Sequence, residues 1–310
     1  MELNNIADFL AGSVGVEKKH WSSQGVSSMA ARALPDGLLG TRSAILRADI
    51  NLLWARWFTE SICGPSFGVH AKRGYAFVLG AVREQIDIRF SDYPSNERSG
   101  LARVMARFVL EGVNQRRQER QPLSRDDKLN LLDAAGDPPR CWICGYAFDR
   151  HAIESFLMPV HPLPLKTFVD LMKPRLHERD YAIEVDHIVP FSEGGGGETN
   201  LAIACGWCNK AKGARLSLYD VQARPLIFHH PALGIISVPR AFWTVRILAL
   251  RNRCEYEACR TTASQAELTV LPRNPHGAMN PMNLMITCLD HDRLGPDRLV
   301  HRKHFEDLRK

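Results

Sequence analysis

The chain has 310 residues, of which 45% are apolar and 24% charged, so it can bury the cores of two or three modest globular domains. No apolar run approaches the roughly 20 residues that span a bilayer, and the opening MELNNIADFLAGSVGV has neither a basic leader nor a long apolar stretch. A membrane-spanning role and a secretory signal are therefore not expected; the expected compartment is the cytoplasm, where clustered cysteines bind metal more often than they form disulfides. The net charge of +6 is a mild excess.

The first 135 or so residues read as helical. TRSAILRADINLLWARWFTESI spaces Ile45, Leu52, Leu53 and Trp57 along one side. YAFVLGAVREQIDIRF does the same with Tyr75, Val78, Leu79, Val82 and Ile86, and GLARVMARFVLEGVNQRRQER with Leu101, Val104, Met105, Phe108 and Val109. These stripes predict a packed helical core. Cys63, in the same region, is expected as a small buried apolar residue. In PLSRDDKLNLLDAAGDPPR, Ser124 is the expected N-cap with Asp127 three residues on, and the helix should stop at Gly136, before Pro138 and Pro139. Between Arg98 and Arg125 lie seven arginines (98, 103, 107, 116, 117, 120, 125) against Glu111 and Glu119. Such a stripe suits phosphates and equally suits a solvated helix face.

From Cys141 the texture changes to cysteines, short strands and glycine-rich loops. The reading is α+β with segments 1–136 (helical, binding or regulatory), 137–222 and 223–310. The last contains a helix in PRAFWTVRILALRNR. Cys141-x-x-Cys144 with Cys205-x-x-Cys208 supplies four thiolates in pairs, the set of a closed zinc site; unrelated pairs or a redox pair are the alternatives. Cys254, Cys259, Cys288 and His291 suit a second, three-Cys one-His zinc site, unless His291 is an ordinary surface histidine.

The stretch EVDHIVPFSEGGGGETNLAIACGWCNK, from Glu184 to Lys210, combines Asp186-His187, Ile188, Pro190, four glycines, Asn200-Leu201 and a Cys-x-x-Cys ending on Asn209. In that order it resembles the HNH endonucleases, or ββα-metal nucleases, over about Cys141 to Arg215. The resemblance implies a zinc-supported nuclease core with EVDHIVP and NLAIA as strands and GWCNKAKGARLSLYD as the crossing helix. It assigns His187 as general base, Asn200 as the residue orienting it, and Asp186 and Asn209 as ligands of one catalytic cation. Hard oxygen ligands favour Mg2+ or Mn2+ there. Many relatives have histidine where this chain has Asn209. The implied reaction is one-metal, in-line hydrolysis of nucleic acid, most simply double-stranded DNA, leaving a 5′-phosphate and a 3′-hydroxyl, in restriction or anti-phage defence. A homodimer or a regulatory protein partner is left open, and no membrane is involved. The alternative is a catalytically inactive, zinc-dependent nucleic-acid-binding or adaptor protein.

Adjacent strand residues point to opposite faces, so a bend or bulge near Pro190 is expected to bring Asp186 and His187 to one site. Gly194 to Gly197 are expected to form a mobile loop near a phosphate. Lys210, Lys212 and Arg215 are candidate phosphate contacts or solvated helix residues. Trp142 and Trp207 suit local packing or base stacking. A shift of 83 residues lays the same stretch without a gap on ELTVLPRNPHGAMNPMNLMITCLDHDR, with Glu267, Gly277, Asn283, Leu284, Ile286 and Cys288 identical. This predicts a degenerate second zinc-bound unit in which Thr269 and Val270 stand for Asp186 and His187; chance resemblance between two zinc knuckles is the alternative.

If the arginine stripe meets nucleic acid, reversing the charge of Arg116, Arg117 and Arg120 together should weaken DNA affinity and flatten its salt dependence in a filter-binding titration. Unchanged affinity at low salt would return the stripe to solvent.

Overall fold

The computed structural model describes residues 2–14, 21–63, 74–117, 123–158, 162–188, 200–230 and 232–307. By packing, the chain divides into two compact units, Met1–Asn51 and Leu52–Lys310. The first holds α1 (Glu2–Val14), α2 (Ser23–Ala30), α3 (Asp36–Leu39) and the first turns of α4 (Ser43–Ile62). Its buried residues are few, among them Leu39, Ile45 and Leu46.

In the second unit, α5 (Tyr75–Arg89) and α6 (Ser95–Arg117) pack as an antiparallel pair. Val78, Val82 and Ile86 on α5 meet Ala102, Met105 and Ala106 on α6, with Cys63 buried beside them. Two alanines one turn apart let the helix axes approach closely. Val104 and Phe108, expected in this core, lie on the neighbouring face of α6 and are 65% and 57% exposed. Trp57 is likewise 57% exposed, because α4 reaches this core through Ile62 and Cys63, more than a turn later. Arg98 is not part of a free stripe: it bonds Asp87 at 2.7 Å and the Ser91 carbonyl, fixing the corner between α5 and α6. Arg103 and Arg107 are exposed, while the side chains of Arg116 and Arg117, and all of Arg120, lie outside the described residues.

Helix α7 (Arg125–Ala134) starts on the predicted capping box, in which Ser124 and Asp127 satisfy each other's backbone N–H groups, and the turn after it carries Gly136 at φ 90°. Next come α8 (Arg150–Leu157), β1 (Phe168–Asp170), α9 (Glu178–Tyr181), β2 (Ile183–His187), β3 (Leu201–Cys205) and α10 (Gly206–Lys212). They are followed by β4 (Leu226–His230), β5 (Gly234–Val238), α11 (Ala241–Arg251), β6 (Leu268–Pro272), β7 (Leu284–Cys288), β8 (Leu299–His301) and α12 (Arg302–Asp307). All strands described pair antiparallel and two by two: β1 with β8, β2 with β3, β4 with β5, and β6 with β7. The β1–β8 pair closes the chain end onto a small core of Val169, Leu171, Leu176, Phe228, Val238, Val300 and Phe305. The mixed fold is thus helical at its start and built from small hairpins thereafter. Among the described residues no helix is long and apolar enough to cross a membrane.

The hairpins β2–β3 and β6–β7 are attached alike. Ile183 opposes Cys205, and Leu268 opposes Cys288. Trp142, after the first cysteine of one cluster, donates its N–H to the Ile203 carbonyl at 3.0 Å; Glu255, after the first cysteine of the other, donates to Ile286 at 2.8 Å. The second strands keep the 83-residue shift, whereas the first strands are related by 85, because the second connection is two residues shorter. The gapless alignment therefore misplaces the first strand: Leu271 and Pro272, not Thr269 and Val270, occupy the places of Asp186 and His187. The second hairpin ends in a short turn, Leu289–His291, in place of a helix like α10.

The two hairpin modules interlock at Lys173, which is fully buried. Its ammonium bonds the Glu267 carboxylate and, at 2.7 Å, the Leu268 carbonyl. Arg175 adds a 3.4 Å contact to the same carboxylate. Burial alone would raise the Glu267 pKa, but Lys173 and Arg175 outweigh it and hold the carboxyl below its ordinary 4.5. Its contribution to stability is therefore present above the ordinary carboxylate range and lost as pH falls through the lowered value. Lys173→Met should destabilise the chain by about 1–3 kcal/mol in urea unfolding, since it takes the nearer of two cations from a half-buried carboxylate, and Lys173→Met with Glu267→Leu should recover most of that loss. Glu267→Gln should remove part of the acid slope of stability. A double variant as unstable as the single one would contradict this account.

Candidate functional site

Two clusters of thiols come first, because they position everything else. The Sγ atoms of Cys141, Cys144, Cys205 and Cys208 lie within 4.8 Å of one another, all four residues buried and none in a disulfide. The Cys144–Cys205 separation is 3.9 Å. Four sulfurs each about 2.3 Å from a zinc ion sit about 3.8 Å apart, so this donor set could hold a tetrahedral zinc. Arg175 lies against it, with Nη2 3.3 Å from Cys144 Sγ and 3.6 Å from Cys205 Sγ, and its guanidinium stacks 4.2 Å from the Tyr146 ring. Such N–H···S contacts offset the surplus negative charge that four thiolates give a zinc site.

The second cluster, Cys254, Cys259, Cys288 and His291, also falls within 4.8 Å. His291 Nδ1 faces Cys288 Sγ at 3.2 Å and Cys254 Sγ at 3.7 Å, which fixes the ring nitrogen available to an ion. The Tyr256 ring stacks on the imidazole at 4.2 Å. Hydrogen bonding with Thr261 draws the Cys259 thiol pKa down to about 6, so the thiolate needed for binding is available near neutral pH. Both groups could hold zinc. Cys259 and His291 are partly exposed, so the second is the more open of the two.

Between the halves of the first cluster runs the hairpin that carries the proposed chemistry. Its turn into α10 is made possible by Gly206: a Cβ there would stand 1.9 Å from the Arg179 carbonyl oxygen. Gly145, at φ 69°, packs so tightly on the second hairpin module that a Cβ would lie 2.1 Å from the Ala266 carbonyl oxygen. Helix α10 ends at Lys212 because Gly213 leaves the helical region at φ 51°, so it is shorter than the sequence predicts.

Strand alternation puts Glu184 and Asp186 on one face of β2, and helical spacing puts Asn209 and Lys212 on one face of α10. The two faces meet in pairs. Asn209 Nδ2 donates to Glu184 Oε2 at 2.6 Å, and Arg179 bonds the other Glu184 oxygen. Lys212 Nζ donates to Asp186 Oδ1 at 2.8 Å and Oδ2 at 2.9 Å, and also to the His187 carbonyl. Trp142 Nε1 donates to Asp186 Oδ2 at 3.0 Å. Because Asn209 turns its NH2 toward Glu184, its carbonyl oxygen is the atom left to face elsewhere. Carboxylate and amide oxygens are the donors a hard divalent ion takes, so the residue types fit such an ion.

The β2–β3 pairing runs unbroken to His187 opposite Leu201, and Ile188 N–H donates to the Asn200 carbonyl at 2.8 Å. No bulge interrupts β2. The bend expected near Pro190 and the loop of Gly194 to Gly197 lie outside the described residues. Alternation therefore carries through the last two positions of β2 and sends Asp186 and His187 to opposite faces; His187 stands opposite Leu201, and Asn200 lies one position further on, level with Ile188. Asp186 is 5% exposed, His187 half-buried.

Of the candidate phosphate contacts, Lys210 is exposed, and Arg215 is exposed with its guanidinium bonded to the Ala211 carbonyl and 5.6 Å from the Phe242 ring. Lys212 is buried inside the lattice just described, neither solvated nor free to meet a ligand where it stands. The sequence alone gives Glu184 and Arg175 no role, and it reads Trp142 as packing or base stacking rather than as a donor to Asp186. The i, i+2 pairing of Glu184 with Asp186 could have flagged the first; nothing local marks the other two, whose partners come from distant segments. Trp207 is buried, as packing predicts.

Compared with known protein families, residues 173–215 match the HNH endonuclease family. No curated protein and no solved structure matches the chain.

Purified protein should retain about two equivalents of zinc through dialysis, by elemental analysis. Cys205→Ser should remove one and His291→Ala weaken or remove the other, each independently. Two tightly held equivalents in Cys205→Ser would contradict the first assignment.

Proposed function

Starting from a chain whose residues 173–215 match the HNH endonucleases, we propose that the protein is a divalent-metal-dependent endonuclease that hydrolyses phosphodiester bonds in DNA. This reading is supported by the matched segment itself, in which Asp186 and His187 end β2, Asn200 precedes β3 and Asn209 lies on α10 beside the four-cysteine cluster.

His187 acts as general base toward the attacking water; a neutral imidazole has a suitable affinity for protons at pH 7. Asn200 accepts a hydrogen bond from the far nitrogen of that ring and fixes its tautomer. Asp186 and Asn209 hold Mg2+ or Mn2+. When bound, that ion supplies neutralisation of charge on the scissile phosphate and the leaving oxygen. Zinc at the two cysteine clusters is structural. Lys210 and Arg215 are exposed candidates for phosphate contacts beside the hairpin, and Arg116, Arg117 and Arg120 are further candidates by their charge alone.

In this reading the chain is organised as a helical segment 1–136, a nuclease segment 137–222 and a second zinc-bound segment 223–310. The packing division after Asn51 subdivides the first of these. The last segment lacks a base and a carboxylate at Leu271 and Pro272, and acts as a brace. Cytoplasmic cleavage of invading DNA, in restriction or phage defence, is the setting that suits such an enzyme.

Supercoiled plasmid should be nicked or linearised in Mg2+ or Mn2+ and protected by EDTA. His187→Ala should lower the rate by about 10²–10⁴-fold while leaving both zinc equivalents in place. Cleavage that survives His187→Ala would sink the assignment of the base. A folded, zinc-loaded wild type that cuts no DNA or RNA with any divalent ion would favour the inactive binding protein instead.

A further inference from the structure

One cation is already seated on Asp186. The Lys212 ammonium reaches both carboxylate oxygens, at 2.8 and 2.9 Å, and donates its third N–H to the His187 carbonyl. All three of its donors are used within the site. The pair is buried, with 10% and 6% of the two side chains exposed. The Trp142 indole takes a further position on Oδ2 at 3.0 Å, and its ring lies 5.7 Å from the same ammonium. Asp186 therefore has three donors around it before any divalent ion arrives.

We infer that Lys212 is an internal counter-ion which competes with the catalytic metal for Asp186 and must yield that carboxylate before the metal binds well. The inference rests on Asp186 being a ligand, as proposed above. A hard divalent ion sits about 2.0–2.1 Å from a carboxylate oxygen. At that distance it would share an oxygen with an ammonium in a poorly solvated site, where like charges repel strongly. Occupation of Asp186 by both cations is disfavoured, so metal affinity in the absence of nucleic acid is lowered.

The same geometry suggests where the ammonium goes. Buried and stripped of Asp186, it keeps only the His187 carbonyl and needs an anionic partner. A phosphate of nucleic acid bound beside Asp186 is such a partner. Metal and nucleic acid should then bind with positive coupling, each easing the entry of the other. Lys212 is a positioning residue in this scheme: it acts through Asp186 and the His187 backbone. It also suppresses metal loading, and with it cleavage, until a phosphodiester is present.

Mn2+ binding to the zinc-loaded full chain, followed by electron paramagnetic resonance, tests this without a turnover assay. The chains compared are wild type, Lys212→Met, Lys212→Arg and Asp186→Asn, each checked for two zinc equivalents and native circular dichroism. Lys212→Met should bind Mn2+ about tenfold or more tightly than wild type without DNA, and Lys212→Arg should stay as weak as wild type. A short DNA duplex should tighten Mn2+ binding to wild type and do so much less for Lys212→Met. If Lys212→Met binds Mn2+ no better than wild type, while Asp186→Asn abolishes binding, Lys212 does not compete and the inference falls with the metal site intact. If Asp186→Asn binds as well as wild type, or no folded chain binds saturably with or without duplex, the assignment of the catalytic metal itself fails.

Discussion

The Cys141–Cys144 and Cys205–Cys208 cluster is the constraint on which the rest of the structure depends. It ties a turn that follows the helical region to the start of α10, across sixty residues of intervening chain. A hairpin of two five-residue strands is marginal by itself in water. Pinned at Cys205 by the thiol cluster, and at Ile203 by the Trp142 N–H, β2–β3 has a fixed position from which Asp186 and His187 project. The same turn delivers the Trp142 indole to Asp186, so the four-cysteine cluster and the proposed metal ligand are separated by one side chain.

Charge balance extends this arrangement outward. Four thiolates around one zinc carry excess negative charge, and Arg175 meets it directly. Arg175 and Lys173 then require an anion, which Glu267 of the second hairpin module provides. The second module has Leu271 and Pro272 where the first has Asp186 and His187, and it has a cysteine cluster and a hairpin of its own. Its Leu268 N–H bonds the Cys144 carbonyl at 2.8 Å, which makes it a wall of the first zinc site. On the other side, α10 meets β2 through Asn209–Glu184 and Lys212–Asp186. Asp186 and Asn209 are thus each held by a second side chain, Lys212 and Glu184 respectively, from the facing element.

Much of this is legible in the sequence where the signal is local. The paired cysteines, the capping box at Ser124 and Asp127, the alternation of β2 and β3, and the α5 stripe all rest on spacing along a few residues. Readings fail where the decision is tertiary. Trp57, Val104 and Phe108 match a helical stripe, yet the faces that α4 and α6 bury are set by Cys63, Ala102 and Ala106. The repeat is visible, but its register is not: a gapless slide cannot show that the second loop is two residues shorter, and a two-residue slip preserves strand alternation while moving Leu271 into the place of Asp186. Lys212 reads as a surface lysine because its partner lies 26 residues away on another element.

The account's central claim is that Asp186 and Asn209, held by this lattice, form the seat of a single hard cation beside His187. Crystals of the zinc-loaded protein with duplex DNA and Mn2+, measured at the manganese absorption edge, test it most directly. The account predicts one anomalous peak within coordinating distance of the Asp186 carboxylate and the Asn209 carbonyl oxygen, with the Lys212 ammonium displaced from the carboxylate and the His187 ring facing the scissile phosphate. A manganese peak elsewhere, or none beside an Asp186 still bonded to Lys212 in the presence of DNA, would contradict it.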